Sequence, residues 1–275
     1  MDYETADGSS FSLQPIFTET DEDSGPAFLH TSITAFVDGK AYAGRIDQPP
    51  EEIGEADVAD CLVPVPPQNI YPLSKPGTLE RASSSLDPER HYLKAPSFTY
   101  DDCAPGNGFV AECFLREALV LQRIKSDPHP NLPSYLGCVV DGDGRVTQLC
   151  LPRYQCNLVE YLEDLAERGA LSQGVCKNLF SQIQAGVRHL HDRFGVAHND
   201  LNEHNVCVDG DGNAVVVDFD GCLPFGQRLL KGVADGNGDG GSPTSSRDND
   251  NRGLDGIADL LDAICSDPHI VGASE

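Results

Sequence analysis

The sequence predicts an α+β fold, rich in short strands over its first half and mainly helical over its second. Three observations carry that expectation. Residues 1–60 and 91–151 hold several short runs that alternate apolar and polar residues and end at turn-forming residues, the pattern of half-buried strands. Two later segments, 108–126 and 172–190, place their apolar residues at helical spacing. Between 206 and 217, the apolar runs Val206–Val208 and Ala214–Val217 flank Asp209-Gly-Asp-Gly-Asn213, the signature of a β-hairpin. At 275 residues the chain is long enough for a two-lobed domain, or for one domain with an appendage.

In chain order, Ser10–Gln14 and Thr31–Val37 read as strands, and Asp38-Gly39 reads as a turn towards a third strand at Ala41–Ile46. Residues 1–60 thus form an acidic β-rich N-terminal segment. Residues 61–90 carry Pro64, Pro66, Pro67, Pro72, Pro76 and Pro88 and read as a linker, or as the irregular start of the next lobe. His91–Lys94 is a strand that ends in lysine. Gly108–Ser126 is a helix with Val110, Phe114, Ala118, Leu121 and Ile124 on one stripe. Val139-Val140 and Val146–Leu151 form a hairpin turning at Asp141–Gly144. Asn157–Arg168 is a short helix, and Ser172 caps a longer one carrying Val175, Leu179, Ile183, Val187 and Leu190.

Composition narrows the classes of function. Net charge is −25, and residues 1–60 contribute 14 acids against 2 bases. Nucleic acid and anionic membrane both select a basic footprint, so neither is expected as a partner; the charge permits a basic protein partner or substrate, and equally a solvated acidic surface with no partner. The sequence contains no apolar run long enough for a membrane span, and its start has no basic and apolar leader. Ten cysteines show no C-x-x-C pair, and several sit inside apolar runs, as in Val206-Cys207-Val208. Reduced, buried thiols in an intracellular protein, cytoplasmic or nuclear, fit that usage better than a disulfide framework or a zinc site.

The most informative stretch is His198-Asn-Asp-Leu-Asn-Glu-His-Asn205, with Asp218-Phe-Asp-Gly221 after it. Protein kinases carry H-R-D-L-x-x-x-N in the catalytic loop and D-F-G at the metal site. His198, Asp200, Leu201 and Asn205 fit the first pattern, and Asp218 and Phe219 fit the second. The chain resembles the protein-kinase-like superfamily over about residues 90–265. The H-N-D and D-F-D spellings look most like a group of fungal members, with a likeness to RIO-type and small-molecule kinases.

The resemblance implies a two-lobed fold, with an upper lobe over 91–151 and a hinge and truncated lower lobe over 152–275. It implies ATP and Mg2+ as cofactors and transfer of the γ-phosphoryl to a Ser/Thr hydroxyl. Asp200 would be the catalytic base, and Asn205 and Asp218 would hold the metal. The hairpin between those two brings its ends together, so both can reach one ion. Lys94 would clamp the nucleotide phosphates, and Glu117, with Glu112 as the competing choice, would orient it. Pro152, Arg153 and Tyr154 fall at the adenine-binding hinge, and His198 would hold the loop's shape.

Departures from the pattern define two rival readings. No G-x-G-x-x-G precedes Lys94, Asn202 stands where kinases place a lysine, and Asp220 replaces the glycine of D-F-G. These favour a pseudokinase acting as a binding or scaffold protein. Asn199 stands at the arginine that pairs with a phosphorylated activation loop, and the expected lower lobe is short; both favour a small-molecule kinase. Residues 232–251, rich in Gly, Asp and Ser, read as a loop, and Asp250–Leu254 resembles the start of the kinase F helix. Within that loop, Asp235–Gly240 imitates a calcium loop but has Ser246 at the position of the closing glutamate, so a turn-rich loop is expected there.

Overall fold

The structure, a computed structural model, describes residues 2–4, 10–18, 26–37, 40–75, 77–104, 106–229 and 244–266. The Asp38-Gly39 turn and the Asp235–Gly240 run lie outside the described residues. The chain has the α+β fold that its sequence predicts and divides into two compact units.

The first unit comprises Met1–Lys75, Ala95–Leu115 and Val140–Gln148. Its centre is an antiparallel sheet of five strands in sequence order: β1 (Asp2–Glu4), β2 (Ser10–Phe17), β3 (Phe28–Val37), β4 (Lys40–Ile46) and β5 (Val63–Pro64). Alternation along the strands serves both faces. Leu13 and Ile33 pack with Val58 of helix α1 (Glu55–Cys61), while Ala41 and Ala43 pack with Val65, Ile70, Tyr71, Phe98 and Val110. Glycine is required at position 44, because a Cβ there would lie 2.6 Å from the Cys61 carbonyl oxygen and from its sulfur.

The first part of the proline-rich stretch, up to Ile70, carries short elements. Val63–Pro64 is an edge strand, where a missing N–H costs little. Pro67 opens the short helix α2 (Pro67–Ile70) at a position that needs no donor.

The second unit comprises Pro76–Lys94, Arg116–Val139 and Leu149–Glu275. Strand β6 (His91–Lys94) pairs antiparallel with β8 (Val146–Pro152), Lys94 lying opposite Leu149, and β7 (Gly137–Val140) completes that sheet. Helix α3 (Phe109–Ser126) belongs to this unit from Arg116 onward and buries Ala118, Leu121 and Ile124. Helix α4 (Leu158–Glu167) begins at Asn157, whose side chain caps the Glu160 N–H while the Glu160 side chain returns a bond to the Asn157 N–H.

Helix α5 (Gln173–His189) is capped by Ser172 and buries Cys176, Leu179, Ile183 and Val187. Five residues of π-helix, Leu190–Phe194, extend it and end at left-handed Gly195. The hairpin is present as expected: β11 (Val206–Val208) pairs with β12 (Ala214–Val216) and with the short β9 (Cys156–Asn157). Strand β10 (Val196–Ala197) pairs with β13 (Leu223–Pro224), and helix α6 (Arg247–Ser266) packs on α5. The helix expected to start at Asp250 starts three residues sooner.

Candidate active site

The site residues expected from the sequence, Glu112 excepted, belong to the second unit, and most of them converge. Lys94, at the end of β6, extends its Nζ to 2.6 Å from Glu117 Oε1 and 2.8 Å from Asp218 Oδ1. Glu117, on α3, is fully buried and also accepts the Phe219 N–H at 3.3 Å. The lysine therefore joins a helix, a strand and the segment after the hairpin. Burial works against its charge, but Glu117 and Asp218 outweigh that and hold its pKa above the usual lysine range. Burial likewise opposes ionisation of Asp218, and Lys94 reverses this to leave its carboxyl below the usual range. Burial pushes Glu117 up, with Lys94 opposing. Glu117, not Glu112, is the partner of Lys94.

The loop at 198–205 is shaped by amides and one buried carboxylate. Asn199 and Asp218 both adopt left-handed backbone, with φ of 66° and 64°, a region in which Asn and Asp are enriched. The Asn205 side chain donates to the Asp200 carbonyl at 2.7 Å and to Asp200 Oδ2 at 3.0 Å. Asn205 is fixed in turn by the hairpin base, where its carbonyl accepts the Val217 N–H at 2.9 Å. Asn202 accepts the N–H groups of His204 and Asn205, so it caps the turn that presents Asn205. His198 donates from Nε2 to the Val217 carbonyl and packs against Phe219, which ties the loop to the hairpin. Burial raises the Asp200 pKa; His198 and the Asn205 hydrogen bond oppose that, and Asp220 and Asp218 add to it.

Sequence reasoning placed Asp250 at the start of a helix without seeing its function. Its carboxylate is fully buried. Oδ1 accepts the Asn199 N–H at 2.7 Å, Oδ2 accepts the His198 N–H at 2.9 Å, and His191 Nε2 lies 2.7 Å from Oδ2. One side chain thus holds two consecutive backbone amides of the loop. The amide of Asn199 was also missed. Its Nδ2 reaches the carbonyls of Ala197 and Gly221 and the Ser245 hydroxyl at 3.0–3.1 Å, and its Oδ1 accepts from Asn249. A sequence signal existed only for Asp250, as one of three acidic or amide residues in Asp248-Asn-Asp250.

A cavity of about 290 Å3 opens beside these groups, near the lower end of the range for small-molecule sites. Lys94, Asn205 and Asp218 line it together with Pro152, Arg153 and Tyr154. Asp200 and Glu117 do not line it; Asp200 is exposed and bonded to Asn205, and Glu117 is buried and paired with Lys94. Among the described residues no three His, Cys, Asp or Glu side chains form a metal-binding cluster. One carboxylate and one amide oxygen suit a magnesium ion that takes its remaining ligands from phosphates and water. Among the described residues no helix is long and apolar enough to cross a membrane.

Comparison with known proteins finds protein kinases. Residues 106–228 match the family described as protein kinase domain, a stretch that contains Glu117, Asp200, Asn205 and Asp218 and stops short of Lys94. The chain is 28% identical over 110 residues to serine/threonine-protein kinase PSK1 of Saccharomyces cerevisiae, covering 38% of this chain and 7% of that protein. It is 29% identical over 135 residues to 3-phosphoinositide-dependent protein kinase 1 of Caenorhabditis elegans, covering 42% and 21%. It is 45% identical over 60 residues to CBL-interacting protein kinase 17 of rice, covering 22% and 13%. The chain therefore spans about a fifth or less of the length of these relatives. With an α+β fold and a match running through its hairpin and loop, residues 106–228 of the chain are similar to the protein kinase domain.

Proposed function

We propose that the chain is a protein kinase that transfers the γ-phosphoryl of ATP to a Ser/Thr hydroxyl. The observation that carries this reading is the Lys94 bridge between Glu117 and Asp218 at the edge of a cavity also lined by Asn205 and residues 152–154. Bound Mg-ATP would supply the phosphoryl group and the cation that neutralises its charge. Lys94 would meet the phosphates as a point charge, with Glu117 setting its direction. Asp218 and Asn205 would present oxygens to the metal from the two ends of one hairpin. Asp200 would orient the acceptor hydroxyl and take its proton at a carboxylate oxygen, while Asn205 holds Oδ2 by a hydrogen bond. The strongly acidic chain favours acceptor proteins with basic flanks.

The test is a thermal-shift titration with ATP, with and without magnesium, on wild type and Asp218→Asn, then phosphotransfer assays on wild type and Asp200→Ala. Magnesium-dependent stabilisation lost in Asp218→Asn, with transfer lost in Asp200→Ala, is the expected result. Undiminished transfer by Asp200→Ala would refute the assignment. The second reading, a pseudokinase, is favoured by Asn202 being occupied as a turn cap where a phosphate-facing lysine is usual. It predicts nucleotide binding without turnover.

A further inference from the structure

The segment ahead of β6 makes contacts for which the site as described has no use. In the sheet ordered β6-β8-β7, β7 is an edge strand. Residues 80–82 run along that edge, with Arg81 bridging parallel to Cys138. Cys138 donates its N–H to the Glu80 carbonyl, and its own carbonyl accepts the Ala82 N–H, both at 2.9 Å. The approach is close: a Cβ at Gly137 would lie 2.6 Å from the Ala82 nitrogen and 2.7 Å from the Arg81 carbonyl carbon. The same segment also holds α3. Glu80 donates its N–H to Gln122 Oε1 at 2.9 Å, and Lys125 Nζ lies 2.7 Å from Glu80 Oε2. That ion pair is solvated and adds little, so the backbone bonds carry the contact. Leu79, one residue before, is buried.

We propose that residues 79–82 are a built-in brace for the Lys94–Glu117 pair, and that Glu80 and Gln122 are positioning residues of the site. Glu80 bonds a strand through its carbonyl and a helix through its N–H. The strand belongs to the sheet whose β6 ends in Lys94. The helix carries Glu117 five residues before Gln122, about 7.5 Å along the axis. Lys94 Nζ stays 2.6 Å from Glu117 only while that sheet and that helix keep their spacing. Edge cover alone is complete once Cys138 is satisfied. The Glu80–Gln122 bond adds nothing to that cover and ties the segment to the helix instead. The consequence for nucleotide binding rests on the reading of the cavity as a Mg-ATP site; the consequence for Lys94 itself does not.

The test compares wild type, Gln122→Ala and Gln122→Glu as full chains, well below their unfolding midpoints. Glutamate keeps an acceptor oxygen at the same reach, whereas alanine, the best helix former, removes it and leaves α3 helical. Lys94 is labelled with an amine-selective acylating reagent, with exposed Lys177 as internal reference, and rates are read by peptide mass spectrometry. Ion-paired to Glu117 and Asp218, Lys94 should react slowly in wild type. Loss of one neutral hydrogen bond should raise the Lys94 rate about 2- to 10-fold in Gln122→Ala and weaken Mg-ATP binding by a similar factor. Gln122→Glu should restore both. An unchanged Lys94 rate in Gln122→Ala, even with a lower unfolding midpoint, would reduce the segment to edge cover and overturn the proposal. So would a Gln122→Glu protein that labels as fast as Gln122→Ala. A wild type that binds no Mg-ATP refutes the nucleotide reading, and the labelling ratio still decides for or against the brace.

Discussion

Replacing Asp250 tests whether one buried carboxylate holds the 198–205 loop in shape. In Asp250→Ala the N–H groups of His198 and Asn199 lose their acceptors, and His191 loses its partner. No water can reach His198, which is fully buried. A buried donor left unpaired costs about 1–3 kcal/mol, so the two amides together cost on the order of 4 kcal/mol. For a unit of this size each kcal/mol moves the unfolding midpoint by about 2–4 °C, which gives a fall of roughly 8–16 °C. Asp250→Asn keeps one carbonyl oxygen and turns an amide donor towards the other N–H, so it should cost about half as much. Calorimetry or urea unfolding monitored at the second unit's transition measures both. A loss below about 1 kcal/mol for Asp250→Ala would mean that the loop is anchored elsewhere and that the carboxylate does not hold it.

Three further outcomes rest on the same geometry. Glu117→Gln removes the negative charge beside Lys94 and leaves Asp218 as its one carboxylate partner in this pair. Loss of a charge-assisted hydrogen bond, about 1.5–3 kcal/mol, should raise the KM for ATP roughly 10- to 100-fold, and a change under twofold in steady-state assays would contradict it. Asp220 adds to the upward pull on the Asp200 carboxyl, which must be ionised to act as base. Asp220→Asn therefore lowers the Asp200 pKa and moves the acid limb of kcat/KM to lower pH; an unmoved or rising limb counts against that base. A Cβ at Gly253 would lie 2.2 Å from the Leu201 carbonyl oxygen, whereas one at Gly256 meets nothing within 4 Å. Gly253→Ala should cost about 1–3 kcal/mol by forcing α6 off the loop. Gly256→Ala is the control, expected to be neutral or slightly stabilising in the same melt.

What the sequence revealed was set by how local the governing physics is. Strands and helices whose apolar period is strong, such as Phe109–Ser126 and Gln173–His189, were legible to within a residue or two. So was the hairpin, because Asp209–Asn213 carries its own turn chemistry. The pairing of Lys94 with Glu117 and Asp218, up to 124 residues apart, was legible only through the family's motif spacing. At 61–90, Pro64 and Pro67 occupy a strand edge and a helix start that tolerate them, and Val65, Ile70 and Tyr71 join the core, while among the described residues of 71–90 there is no named helix or strand. Asp250 and the side chain of Asn199 stayed hidden because their partners are backbone groups, which leave no mark on sequence.

Asn199 shows how the departure from the kinase pattern is absorbed. An arginine at this position would bring a charge that needs an anion, such as a phosphate, to be satisfied. The amide needs none. Its donors are taken up by the carbonyls of Ala197 and Gly221 and by the Ser245 hydroxyl, and its oxygen accepts from Asn249. Ser245 in turn donates to the Leu223 carbonyl at 2.8 Å. These neutral bonds join the catalytic loop to Gly221, just past Asp218, and to Ser245, just before α6. The same residue meets the left-handed backbone that positions Asp200 next to it, a conformation costly for arginine and cheap for asparagine. Asparagine at this position thus supplies a tie that works without phosphate.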